Sequence, residues 1–151
     1  MADWFLDAPD ITELTVSGGE PMLQAEALSE TIRLIRKQRN TGLIVYSGFE
    51  YEELLKLSRA DNGIKAFLED IDILIDGPYV SGQDNNRPFI GSDNQRIILL
   101  SDRYKEIYED YYLHTEGRKI ELKLEEDKTL MVGIPGEDQR ILWKMIKNKG
   151  K

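Results

Sequence analysis

The stretch Ser17-Gly18-Gly19-Glu20-Pro21 combines residue types suited to holding a small zwitterion. Two glycines let the backbone turn so that its last amides and carbonyls face outward. Glu20 sets a carboxylate at the mouth of the turn, and Pro21 stiffens the exit into the next element. A carboxylate with outward carbonyls suits an ammonium group, and an anion is accommodated nearby on amides or at a helix N-terminus. An amino-acid headgroup carries both charges. Three more stretches stand at the ends of apolar runs: Ser47-Gly48-Phe49, Asp76-Gly77-Pro78 and Ser101-Asp102. One glycine in such a place often does no more than end a strand. Three of these four loops carry Gly within two residues of the run, and that recurrence favours a site.

Other chemistries are excluded by what is missing. The chain has no Cys, so by itself it forms no disulfide, no thiolate metal site and no cysteine nucleophile. His114 is the only His, and it lies in the polar Leu113-His114-Thr115-Glu116 turn, where a solvated surface role is expected. Glu125-Glu126-Asp127 reads as a hairpin turn, since a hard cation needs oxygens that converge. A net charge of -8 argues against a nucleic-acid partner, which calls for a basic patch. The one basic cluster, Lys144 to Lys151, reads as a solvated helix end. No apolar run approaches the roughly 18 residues of a membrane span. The opening MADWFLDAPD lacks the charged-then-apolar order of a signal peptide, so a cytoplasmic location is expected.

The elements that must position these loops alternate short β-rich runs with longer helical ones, the pattern of βαβ units and a parallel sheet. Strands are expected at Leu14–Ser17, Leu43–Tyr46, Ile71–Ile75 and Arg96–Leu100. The unbroken apolar run of the second suits a strand covered on both faces. Between them the spacing predicts a helix from about Met22 to Arg39, with Leu23, Ala27, Leu28, Ile32 and Ile35 on one face. A second helix is expected over Glu50–Leu57, with Glu52 and Glu53 well placed near its N-terminus, and a short helical turn over Ile64–Glu69. Tyr79 to Asn94 is polar and aperiodic, and a loop of that length inside one domain is usually functional or mobile. Ser101 or Asp102 is expected to cap a short helix reaching about Tyr111, its tyrosines Tyr104, Tyr108, Tyr111 and Tyr112 serving core or interface. From Arg118 the period becomes two, predicting an antiparallel hairpin (Ile120, Leu122, Leu124, then Leu130, Val132) with one face buried. A last helix, Asp138 to Lys147, is expected to turn Ile141, Leu142 and Met145 inward. Parallel sheets bind ligands beyond the carboxyl ends of their strands, where the four loops would converge.

LTVSGGEPMLQ, Leu14 to Gln24, resembles the radical S-adenosylmethionine enzymes, and within them the activating enzymes of glycyl-radical enzymes. DILIDGPYV (Asp72 to Val80), RPFIGSDNQRII (Arg87 to Ile98) and LMVGIP (Leu130 to Pro135) are similar to the activator of anaerobic ribonucleotide reductase and its close relatives. The resemblance covers nearly the whole chain as a single domain, residues 1–151. It implies an α/β fold, a partial radical-SAM (β/α) barrel with a mostly parallel sheet, ending in an antiparallel hairpin and helix. It places Gly18, Gly19 and Glu20 at the S-adenosylmethionine amino group, Ser47 and Gly48 near its ribose or carboxylate, and Asp76 toward the reacting centre. Gly91, Ser92, Asn94, Gln95 and Arg96 match a family motif without an assigned role; an Arg at a strand mouth suits a carboxylate or a partner's backbone.

The family also carries a CxxxCxxC loop ahead of SGGEP, whose thiolates hold a [4Fe–4S] cluster, and this chain has no counterpart. The expectation is a chain without its first βα unit, unable to perform radical chemistry alone. It would bind S-adenosylmethionine weakly, and a [4Fe–4S] cluster only if a cysteine segment were supplied. Two roles follow: an activase of a glycyl-radical enzyme such as anaerobic ribonucleotide reductase, or a non-catalytic module that docks on such a partner. A plain nucleotide-binding α/β domain is a third. The strand at Leu14 to Val16 would lie open at the sheet edge. Unless Trp4, Phe5 and Leu6 fold back over it, that edge is expected to drive dimerisation or aggregation.

Overall fold

In a computed structural model, which describes residues 7, 10–84, 86–114, 117, 120–124, 129–133 and 135–149, four strands form one sheet in the order β1-β2-β3-β4. They are β1 (Glu13–Val16), β2 (Gly42–Tyr46), β3 (Ile73–Asp76) and β4 (Arg96–Leu99). The first three run parallel, with Leu14 beside Leu43 and Ile44 beside Ile73. β4 runs against them, with Leu74 beside Ile98 and Asp76 beside Arg96. This reversal changes which loops meet. The loops after β1, β2 and β3 leave one end of the sheet together, but Ser101-Asp102, which follows β4, lies at the opposite end. There the Ser101 hydroxyl donates to Asp72 at 2.5 Å. The convergence expected of four loops is therefore of three, and the start of β4 takes the fourth place.

Helices α1 (Ala25–Arg36), α2 (Tyr51–Leu57) and α3 (Asn62–Asp70) supply the layer on one face. Ile32, Leu54, Ile64 and Phe67 from them pack with Leu43, Val45 and Leu74 of the sheet. The other face, with Ile44, Tyr46, Ile73 and Ile75, is covered by Ile90 from the long loop and by Tyr104. β2 is thus covered on both sides, as its apolar run requires. Gly42 is needed at the start of β2 because a Cβ there would overlap the Tyr104 hydroxyl, a buried group without a hydrogen-bond partner among the described residues. α3 is longer than the expected turn, since Asp61 caps it by accepting from the Gly63 and Ile64 amides at 2.8 and 3.1 Å. Among the described residues β1 pairs only with β2. Beside β1 an apolar cavity of about 320 Å³ opens between Leu14 and Val16 of the strand and Leu28, Ile32 and Ile35 of α1.

Three expected faces differ from the structure. Pro21–Gln24 is a 3-10 turn ahead of α1, and it turns Leu23 outward to 81% exposure while burying Met22; Ala27 is also exposed. The buried stripe is therefore Met22, Ala25, Ser29, Ile32 and Ile35. In the hairpin of β5 (Ile120–Leu124) and β6 (Thr129–Gly133), Leu122 faces Met131, so Leu130 and Val132 fall opposite Lys123 and Glu121. Cross-strand partners share a face. Leu130 and Val132 accordingly stand on the face opposite Leu122, and all three are exposed. In the last helix, α5 (Glu137–Lys149), Ile141, Leu142 and Met145 are exposed and Arg140 and Trp143 are half-buried. Between β4 and the hairpin runs α4 (Lys105–His114), whose Tyr104 flank is in the core as expected. The expectations for Trp4–Leu6, Glu125–Asp127 and the side chains of Tyr111, Tyr112 and His114 lie outside the described residues. No described helix is long and apolar enough to cross a membrane.

Candidate functional site

Glu20 is the joint of the site. Its Oε1 accepts from the Met22 amide at 3.0 Å and from the Ser47 hydroxyl at 2.9 Å, and its Oε2 accepts from the Gly48 amide at 2.8 Å. One carboxylate thus starts the 3-10 turn and ties the loop after β1 to the loop after β2. Ser47 Oγ passes the connection on by accepting from the Phe49 amide at 3.1 Å. The Gly77 amide in turn donates to the Phe49 carbonyl at 3.1 Å, which joins the loop after β3. Gly18 and Gly19 stand outside this network with φ of 82° and 57°, exposed, with nothing within 4 Å of where a Cβ would be. Two consecutive residues in the left-handed region present backbone to solvent in a way other residues rarely tolerate. Of the six residues picked from the sequence, Gly18, Gly19, Glu20, Ser47 and Gly48 therefore meet at one mouth.

The sixth, Asp76, lies at the same end but faces inward. Its side chain has a relative exposure of 1%; Oδ2 accepts from the Tyr51 amide at 2.8 Å and both oxygens accept from the Arg96 guanidinium. It pins the first turn of α2 to the end of β3. Arg96 is bonded as well to Glu52, at 3.0 and 2.6 Å. The position of Glu52 near a helix N-terminus favours a carboxylate there, and in the structure it is also one arm of this pair. Arg96 itself could be singled out by type, but its partners depend on β4 reversing direction. Glu53 does serve the helix start, accepting from the Glu50 amide at 3.1 Å.

The rest of the motif preceding Arg96 also has a structural role. Asn94 Nδ2 donates to the Pro78 carbonyl at 2.6 Å and Gln95 Nε2 to the Gly77 carbonyl at 2.9 Å. Gln95 Oε1 accepts from the Gly91 amide at 2.7 Å. Ser92 Oγ accepts from the Val80 amide at 3.0 Å and donates to Asn94 Oδ1 at 2.7 Å. Gly91 lies against the Tyr79 ring, where a Cβ would come within 2.9 Å of it. These side chains clamp the turn that leaves β3, Gly77 to Val80, through two side-chain amides and a hydroxyl.

Arg96 sets the titration of its neighbour. Its hydrogen bonds hold the Glu52 carboxyl down at about 2, and the pairing with Asp76 and then Glu52 raises Arg96 above its ordinary value. The folded value of Glu52 lies below the ordinary 4.5, so the pair adds stability that is full above about 4.5 and fades as the pH falls toward about 2. Glu52 is exposed, which keeps the effect small. An NMR titration of the Glu52 carboxyl carbon is expected to give a midpoint near 2; a midpoint near 4.5 would show the pair open in solution.

Among the described residues, no three His, Cys, Asp or Glu side chains are grouped to hold a metal ion. A family model described as "4Fe-4S single cluster domain" matches residues 4–98, more than half of the chain. No curated protein and no solved structure matches it.

Proposed function

The chain belongs to the 4Fe-4S single cluster domain family, and from that premise we propose that it is the S-adenosylmethionine headgroup-binding scaffold of a glycyl-radical-enzyme activase. The observation that carries this reading is the Glu20 joint, which holds the SGGEP loop against the Ser47-Gly48 loop and leaves the Gly18-Gly19 backbone exposed at the mouth. In this reading the exposed backbone receives the cofactor's ammonium and carboxylate, with Ser47 and Gly48 beside them. Glu20 positions those loops; with three protein donors on its carboxylate it is less an ammonium ligand than a strap. Asp76 acts one layer further in, setting the start of α2. The three parallel strands with helices on one face are, on this reading, an arc of a radical-SAM barrel, and the partner is a glycyl-radical enzyme such as anaerobic ribonucleotide reductase.

The family's cluster does not fit this chain's residues. A [4Fe–4S] cluster takes thiolate ligands, and the chain has no Cys and one His. No step of cluster chemistry is assigned to it. The same mismatch favours a second reading, a non-catalytic module that keeps the activase surface and docks on the reductase.

Calorimetric titration of the full chain with S-adenosylmethionine and, separately, ATP tests the proposal. Weak binding of S-adenosylmethionine is expected, with none for ATP; ATP binding alone would overturn it. Anaerobic treatment with iron and sulfide is expected to produce no [4Fe–4S] absorption. A loaded cluster would overturn the statement that the chain's residues do not fit one.

A further inference from the structure

The loop between β3 and β4 is gripped twice. Ser92, Asn94 and Gln95 hold its first residues from within, and a second grip comes from beyond residue 98, where the family match ends. Arg140, near the start of α5, donates from Nε to the Pro135 carbonyl at 3.0 Å, which fixes the plane of its guanidinium. From there Nη2 donates to the Tyr79 hydroxyl at 3.1 Å and stands 3.6 Å from Asp84 Oδ2. The guanidinium carbon lies 5.7 Å from the centroid of the Tyr79 ring, within cation–π range. The neighbouring contact points the same way: Asn86, at φ 56°, has its side chain lodged against Gly117 and Gly136.

We propose that Arg140 is a positioning residue for the loop after β3, latching residues 79–84 from α5, so that α5 holds the loop that leaves the same end of the sheet as the candidate site. The chemistry suits the task. A planar guanidinium meets a ring face, a hydroxyl and a carboxylate at once, which a lysine ammonium does not. Tyr79 and Asp84 belong to the loop that continues Asp76-Gly77-Pro78, whose Gly77 amide is bonded to Phe49 beside the candidate site, so whatever loosens α5 loosens that loop. By linkage, anything that orders the loop also holds α5 in place. The latch does not depend on which ligand the mouth takes.

Amide hydrogen exchange on the full chain tests it, with no ligand added. Arg140→Ala is expected to speed exchange in residues 79–84 by about tenfold or more while amides of β2 and β3 keep their protection. Arg140→Lys is expected to restore only part of that protection, and Tyr79→Leu to reproduce the alanine result from the other side. Unchanged exchange in 79–84 in both Arg140→Ala and Tyr79→Leu would overturn the latch. An equal rise through β2 and β3 would overturn it too, by showing general destabilisation. S-adenosylmethionine affinity, measured on the same proteins, reports separately: loss of the latch with no S-adenosylmethionine binding in any variant counts against the proposed cofactor and leaves the latch standing.

Discussion

Arg96→Ala is expected to destabilise the fold by about 2–3 kcal/mol, below the range for removing one partner of a fully buried ion pair because the arginine is partly solvated. The reason lies with Asp76. Its side chain is 1% exposed, and among the described residues it accepts from the Tyr51 amide and the Arg96 guanidinium. Arg96 is 46% exposed along its side chain, so its own loss of packing is modest and the cost comes from a carboxylate left without its cation. Urea denaturation measures the effect. Adding Asp76→Asn to Arg96→Ala is expected to recover part of the loss, because the uncompensated charge goes while an acceptor for Tyr51 stays. Additive losses in the double variant would show that the two side chains act separately.

Glu20→Ala is expected to cost about 1–3 kcal/mol of stability, as three donors lose a charged acceptor that water replaces only in part. The larger consequence is local. Without the carboxylate the Gly48 amide and Ser47 hydroxyl are released from the loop after β1. Exchange at Gly48 should rise, and any affinity for S-adenosylmethionine should fall with it. Glu20→Gln separates the two arms: an amide oxygen at Oε1 still serves Met22 and Ser47, whereas an amide nitrogen at Oε2 would face the Gly48 N–H donor to donor. The glutamine variant should therefore keep most of the stability and still free Gly48. Unaltered Gly48 exchange in the alanine variant would mean that the joint is not what holds the two loops together.

Much of the mouth was legible before the structure. Apolar runs of strand length ended by Gly or Asp placed β1, β2 and β3, and the right-sized helical spacings between them made those strands parallel. The loops Ser17–Pro21 and Ser47–Phe49 follow from that arrangement, whereas the choice of Gly18, Gly19, Glu20, Ser47 and Gly48 within them comes from the family resemblance. The reversal of β4 was not legible, since four apolar residues carry no direction and the long loop before them permits either. Asp76, Glu52 and Arg96 could be named individually but not joined. The outer faces failed for a related reason. Alternation in Ile120–Leu124 and Thr129–Gly133 is plain, but a shift of one residue in register moves every side chain to the other face. Leu130 and Val132 were misplaced by that parity, and Leu23 by a 3-10 turn whose geometry depends on the Glu20 side chain.

The SGGEP string, membership of the 4Fe-4S single cluster domain family and the lack of any thiolate are all carried by residue identity, which decides which ligands a chain can offer. How each carboxylate is used was decided only by the tertiary structure. Glu20 and Asp76 both sit at strand ends and look alike in the string. In the fold one straps two loops at an open mouth and the other is sealed beneath an arginine that arrives from a strand running the opposite way. Hydrogen-bond partners far apart in the chain are set by strand direction and register, and those are properties of the packed sheet.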